Sequence, residues 1–475
     1  MGPQHPRGER KDKQEAAHRL RGCNRDLRGR TMTSAGGING GGVRWRALVC
    51  SAALGALLSA CAEPEIILQG QREDIRTDAN SEVANQSKPI SLPRQTVNAT
   101  WAQTHGLQAQ RTTHPALSAA PQLAWVTSIG EGDARRQRIT ARPVVADGKI
   151  FTLDSAAQVS AVSPSGQVLW QSDLIPSRES AGQATGGGMA FDKGVLYISS
   201  GYGVLTALDA TSGKQIWRQE LEATGSGEPI VRDGLVYLVA GDDTGWAVHT
   251  SDGRIAWQVE GAPSPSNVLG APAPVIAGDY VIFAFGSGDL VASFKRGGVR
   301  RWNASVAGQR VGTTLARISD VTGAPVVVGK RAFVGNHSGR TVAIDTDNGD
   351  RIWTANEGAI GPVWPVGGSL FQISDRNQLL RLDAASGAVI WAVDLPGYLK
   401  DKPGKRGEVV AHYGPIVAGG QVVVVSNDGQ MRLFDPRDGS LARTVEVPGG
   451  ATTDPVVAGN TLYVVSSKGD LLAFR

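Results

Sequence analysis

The stretch Leu205-Thr206-Ala207-Leu208-Asp209-Ala210-Thr211-Ser212-Gly213-Lys214-Gln215-Ile216-Trp217 decides the fold. It begins as an apolar run, turns at Asp-x-x-Ser-Gly, and ends in Trp. Asp accepts turn N–H bonds and Gly takes φ > 0, so the stretch reads as two antiparallel strands around a tight turn. The frame returns at Leu379–Trp391 and Thr341–Trp353. Weaker copies run Val159–Trp170, Trp246–Trp257 and Leu290–Trp302. Met431–Arg443 keeps Asp435 and Gly439 but puts Arg443 in the Trp slot. A last copy, Leu471-Leu472-Ala473-Phe474, stops at the chain end.

Outward from each copy, a short apolar hairpin around a Gly turn precedes it. Pro143-Val144-Val145 before Gly148 is the first and Pro455-Val456-Val457 before Gly459 the last, with eight in all. Hairpin plus repeat gives four strands per unit. A lone four-stranded sheet cannot bury both faces, so the units must stack, and radial closure is the usual solution at this period. The Trp slots fall at 125, 170, 217, 257, 302, 353, 391 and 443. The predicted fold is all-β: an eight-bladed β-propeller of four-stranded antiparallel blades over 121–475, its ring closed by the N-terminal strand near Trp125. A seven-bladed ring is the rival, should Met431–Arg443 not complete a blade.

Composition agrees. The 475 residues include 61 Gly and only 3 Cys, which suits many tight turns without a disulfide framework. The net charge of +4 misleads. Residues 1–61 hold 11 Lys/Arg and 4 Asp/Glu, leaving 37 basic against 40 acidic residues beyond them. A dedicated nucleic-acid binder would show a strong basic excess in its body, so nucleic acid is not an expected partner.

The N-terminal region reads as four pieces. Residues 1–31 are patternless and Arg-rich, and read as an over-extended start. Residues 32–60 form a signal peptide: Arg44 and Arg46 precede an apolar run from Ala47 to Leu58, too short to span a bilayer. It ends in Leu58-Ser59-Ala60-Cys61, which resembles a bacterial lipobox, with Cys61 the lipidated first residue. An ordinary secretory signal is the alternative. Ala62, in place of an Asp, favours the outer membrane by resemblance to bacterial lipoproteins. Residues 61–120 are expected to be a flexible tether, with local order near Trp101.

The frame Ala207–Trp217 resembles the quinoprotein-type (PQQ-like) propeller repeat. With a lipobox in front and eight units behind, the chain from Cys61 onward is similar to the BamB family, lipoproteins of the BAM complex that folds β-barrels into the bacterial outer membrane. The resemblance implies a non-catalytic scaffold that faces the periplasm and binds the periplasmic part of BamA. Unfolded outer-membrane proteins are further candidate clients. Arg317-Ile318-Ser319-Asp320-Val321 before Pro325-Val326-Val327 resembles a contact segment of that family, with Asp320 in the acidic contact position. A second family acid falls on Thr322. The other contact loop corresponds to Ser266-Asn267-Val268-Leu269-Gly270, apolar but lacking the family's Arg. The expected partner-binding residues are therefore Val268, Leu269, Arg317 and Asp320.

Strand order supports the same face: all fourth-to-first strand connections emerge at one end. Three are long, 171–187, 303–323 and 392–414, and long loops on a rigid scaffold are where binding usually lives.

Other chemistry finds little footing. A PQQ-dependent periplasmic dehydrogenase shares the repeat, but that family typically has two adjacent Cys, absent here. A secreted recognition propeller is a further alternative. Asp345-Thr346-Asp347-Asn348-Gly349-Asp350 hints at calcium, but its Gly comes one place early for an EF-hand and no terminal Glu follows. The expectation is neither metal nor cofactor. His105, His114, His249, His337 and His412 lie in separate units, read as surface or turn residues. Trp364 stands in a first strand near the axis, where packing is its expected role.

Overall fold

The structure, a computed structural model, describes residues 85–104, 111–223, 227–263, 271–306, 308, 310, 320–400 and 402–475. Eight four-stranded antiparallel sheets carry the strands. In chain order the blades span 144–173, 187–220, 230–260, 275–305, 326–355, 364–394 and 412–446, and the eighth runs from 456 to 474. The eighth blade takes its outer strand, Leu123–Ser128, from the other end of the chain, paired with Asp470–Phe474 in the register Leu123↔Phe474. The Gln122 and Arg475 amides each donate to the other's carbonyl, at 2.7 and 2.9 Å. The fold is thus the eight-bladed propeller read from the repeat. Met431 lies in a complete blade, which removes the seven-bladed rival.

The repeat residues show how neighbouring blades join. Asp209 Oδ1 accepts from the Ser212 amide at 2.8 Å and its hydroxyl at 2.7 Å, and Gly213 turns at φ 71°. Each Trp lies over the turn glycine of the following blade: Trp170 on Gly213, Trp217 on Gly253, Trp353 on Gly387. A Cβ at Gly213 would stand 2.5 Å from the Trp170 ring, so no larger residue fits there. The indole Nε1 donates to a carbonyl of the same turn, Trp170 to Ala210 and Trp217 to Thr250. Each Trp therefore joins apolar cover to one directional bond.

Arg443 in the eighth Trp slot now has a physical reason. Its neighbour is the closing blade, whose third and fourth strands come from opposite chain ends. No Asp-x-x-Ser-Gly turn exists there for an indole to cover.

The tether expected over 61–120 is corrected in its second half; residues 61–84 lie outside the described residues. Asn85 and Gln86 bond to Ala392 and Ile390 on the outer strand of blade 6. The chain then makes a circuit about the axis. Asn98 bonds Val457 and Gly459 of blade 8, and Trp101 bonds Val145 of blade 1 in both directions, at 2.7 and 3.0 Å. Ala102 accepts from Phe191 of blade 2, and Gln103 bridges Phe191 to Val231 of blade 3. Beyond residue 110, Arg111 donates to Val327 of blade 5, Thr113 accepts from the Trp364 indole of blade 6, and Pro115 accepts from Gly419 of blade 7. A Thr96–Pro115 bridge closes the circuit.

The cause is general. First strands are the inner edges of their sheets, so their outward N–H and C=O groups need partners. The N-terminal segment supplies them. Trp101 is 7% exposed and stacks on Trp364, ring centroids 6.1 Å apart, which bears out packing as the role of Trp364.

Candidate functional site

Antiparallel order puts first-to-second and third-to-fourth connections at one end of the ring, with second-to-third and fourth-to-first connections at the other. The N-terminal circuit runs along the first end, where Gly367 meets Ser91 and Gly419 meets Leu117. The long loops rise from the second end, which is the candidate interaction face.

Of the residues expected there, Val268, Leu269 and Arg317 lie outside the described residues, as does Cys61. Asp320 is described, and the expectation of a surface contact is corrected: it is 4% exposed. Its carbonyl accepts from the His337 amide at 3.1 Å, and Val321 beside it is fully buried. Asp320 therefore sits at the root of its loop, against blade 5. Thr322, in the second acidic slot of the family, donates to the Ala359 carbonyl.

Two charge clusters on this face escaped the sequence reading. Arg310 pairs with Asp375 at 2.9 Å and Glu357 at 3.2 Å, and Arg376 pairs with Glu357 at 2.6 Å. This network ties the loop before blade 5 to blade 6. At the axial mouth, Arg142 pairs with Glu228 at 2.5 Å and Asp454 at 3.5 Å. Burial raises the Glu228 pKa above the ordinary range, outweighing the pull of Arg142. The signal for this cluster was present in the sequence. Arg142, Glu228 and Asp454 each precede the Pro that opens a first strand, so one repeat slot carries opposite charges that converge at the axis.

The histidines divide. His249 is exposed, and His105 lies outside the described residues. His114 and His412 are buried, which corrects their reading as surface or turn residues. His412 Nδ1 lies 2.6 Å from Ser426 Oγ and Nε2 lies 3.0 Å from the Pro396 carbonyl. The ring thus pins the root of the 395–411 loop to blade 7. Burial lowers its pKa, so it stands neutral, Nε2–H donating to Pro396 and Nδ1 accepting from Ser426. His114 Nε2 accepts from the Gly420 amide, on the circuit end. The Asp345–Asp350 segment is the third-to-fourth strand turn of blade 5: Asp345 Oδ1 accepts from the Asp347 amide. Among the described residues no three His, Cys, Asp or Glu side chains gather as metal donors, and no helix is long and apolar enough to cross a membrane.

Against known proteins, the family model described as outer membrane protein assembly factor BamB matches residues 155–393 and 402–475. The BamB of Yersinia pestis is 24% identical over 364 residues, 75% of this chain and 89% of that protein. The crystal structure of BamB from Moraxella catarrhalis superposes with a TM-score of 0.62 at 16% identity, covering 75% of this chain and all of that one. Quinohemoprotein alcohol dehydrogenase from Comamonas testosteroni superposes with a TM-score of 0.58 at 15% identity, over 79% of this chain and 80% of that one. At such identities the structural likenesses speak for the propeller alone.

Proposed function

The chain belongs to the BamB family of outer membrane protein assembly factors, and from that premise we infer that it is a non-catalytic scaffold of the barrel-assembly machinery, binding the periplasmic part of BamA. The single observation that carries the choice of face is the N-terminal circuit. It occupies the first-to-second strand end of the axis, leaving the end with the long loops for a partner. Val268, Leu269 and Arg317 supply apolar and cationic contacts there. Asp320, being buried, holds the loop root rather than presenting its carboxylate.

Lipidation of Cys61 anchors the body to the outer membrane, facing the periplasm. A single acyl chain binds a membrane only marginally, and the several chains of a lipoprotein Cys suffice. In Cys61→Ala, the protein should leave the membrane fraction after a high-salt wash. Retention would mean that protein contacts alone hold it.

The dehydrogenase reading is tested by equilibrating purified protein with pyrroloquinoline quinone and Ca²⁺. Tight stoichiometric binding with alcohol oxidation would replace the scaffold. Affinity purification from outer membranes tests the scaffold itself, with co-recovery of the barrel-assembly complex the expected result.

A further inference from the structure

At the seam of blades 5 and 6, on the end carrying the N-terminal circuit, lies a half-open cleft of about 430 Å³. Pro93 of the circuit, Phe333 of blade 5 and Pro365 and Ser369 of blade 6 line it. Two guanidinium groups, Arg111 and Arg331, also line it, and among the described residues no Asp or Glu does.

Arg111 differs from the other inward-facing arginines. Arg142 has Glu228 and Asp454, and Arg381 has four backbone carbonyls. Arg111 Nη1 donates to the Val327 carbonyl at 3.2 Å, but its Nε is buried without an acceptor. Burial pushes its pKa down to about 10, and no carboxylate offsets the loss. Arg331 is exposed on the rim. Asp345, opposite it in the strand register, has Oδ1 engaged by the Asp347 amide.

A guanidinium offers a planar fork of donors that matches a carboxylate. Apart from the hydroxyls of Thr113 and Ser369 the remaining side chains are apolar, and the volume lies in the range of small-ligand sites. We propose that this cleft binds an organic carboxylate with an apolar body, the carboxylate on Arg111 and Arg331 and the body against Phe333, Pro93 and Pro365. Inorganic phosphate would meet the same cations but leave the apolar walls uncovered. The site stands independently of the partner reading, since it lies at the opposite end of the ring.

Calorimetric titration of the purified protein tests it with four probes: acetyl-Val-Phe with a free carboxylate, the same peptide as an amide, hexanoate and inorganic phosphate. The acid peptide should bind at least tenfold tighter than the amide and than phosphate. Arg111→Gln and Arg331→Gln should each weaken it about tenfold or more. Tighter binding of the peptide than of hexanoate assigns the carboxylate to a chain terminus; equal binding assigns it to a free acid. Arg331 is exposed, so Arg331→Gln leaves the fold intact and decides alone should Arg111→Gln fail to fold. Equal affinity for acid and amide, phosphate binding as tightly as the acid, or full retention in Arg331→Gln overturns the proposal.

Discussion

Gly194 and Gly253 hold the same left-handed backbone, φ 79° and 77°, in different surroundings. A Cβ at Gly194 meets nothing within 4 Å, whereas one at Gly253 would stand 2.6 Å from the Trp217 ring. Gly194→Ala should therefore cost only the conformational term, about 1–2 kcal/mol. Gly253→Ala adds overpacking of an indole between two blades, about 1–3 kcal/mol more. Urea midpoints of the two variants read the difference directly; equal losses would deny the Trp–Gly joint its role. The buried His412 supplies a pH test. Its folded pKa lies below the unfolded value of 6.5, so below that value the unfolded chain binds more protons than the folded one. Stability should fall as pH drops through 6.5 towards the folded pKa, and His337, lowered by burial too, adds in the same direction. The turn carboxylates act elsewhere. Bonds from Ser212 depress the Asp209 pKa, so its contribution persists above the ordinary 3.8 and fades only below it. Between pH 7 and 5.5 the urea midpoint should drop in the parent and drop less in His412→Asn. An unchanged slope would show that His412 does not titrate with unfolding.

The circuit formed by residues 85–104 and 111–117 behaves as an element although these described residues form no long strand. Its outer end is fastened by Arg381, 2% exposed, whose guanidinium donates to the carbonyls of Lys88 at 2.6 Å and Pro89 at 3.1 Å as well as to the turn of blade 7. Arg381→Met should release this end while leaving the axial part in place. Hydrogen exchange at the Gln86 and Lys88 amides should accelerate at least tenfold, with Trp101 unchanged. Loss of protection at Trp101 as well would show one cooperative unit. The blades were legible in the sequence because each repeats the same strand, turn and Trp at a fixed spacing. The circuit was not. Its described residues bond one after another to seven different blades around a curve, which imposes neither a period of 2 nor one of 3.6. Trp101 alone hinted at order. Asp320 shows the same limit at the candidate site, since its place in the chain was readable but its burial beneath blade 5 depends on how the ring packs.

At the scale of the whole molecule, one end of the ring is occupied by the chain's own N-terminal segment and the other carries the long loops. Partner binding should therefore be sensitive to loop substitutions and indifferent to exposed positions among the third-to-fourth strand turns. A central interface contact is commonly worth about 1–2 kcal/mol or more, a tenfold change in affinity. The decisive measurement is quantitative co-purification of BamA from solubilised outer membranes with three proteins: the parent, Val268→Glu combined with Leu269→Glu, and Lys214→Glu on the opposite end, each verified as folded by circular dichroism. The loop variant should lose BamA at least tenfold while Lys214→Glu matches the parent. Retention by the loop variant, with loss in Lys214→Glu, would contradict this choice of face.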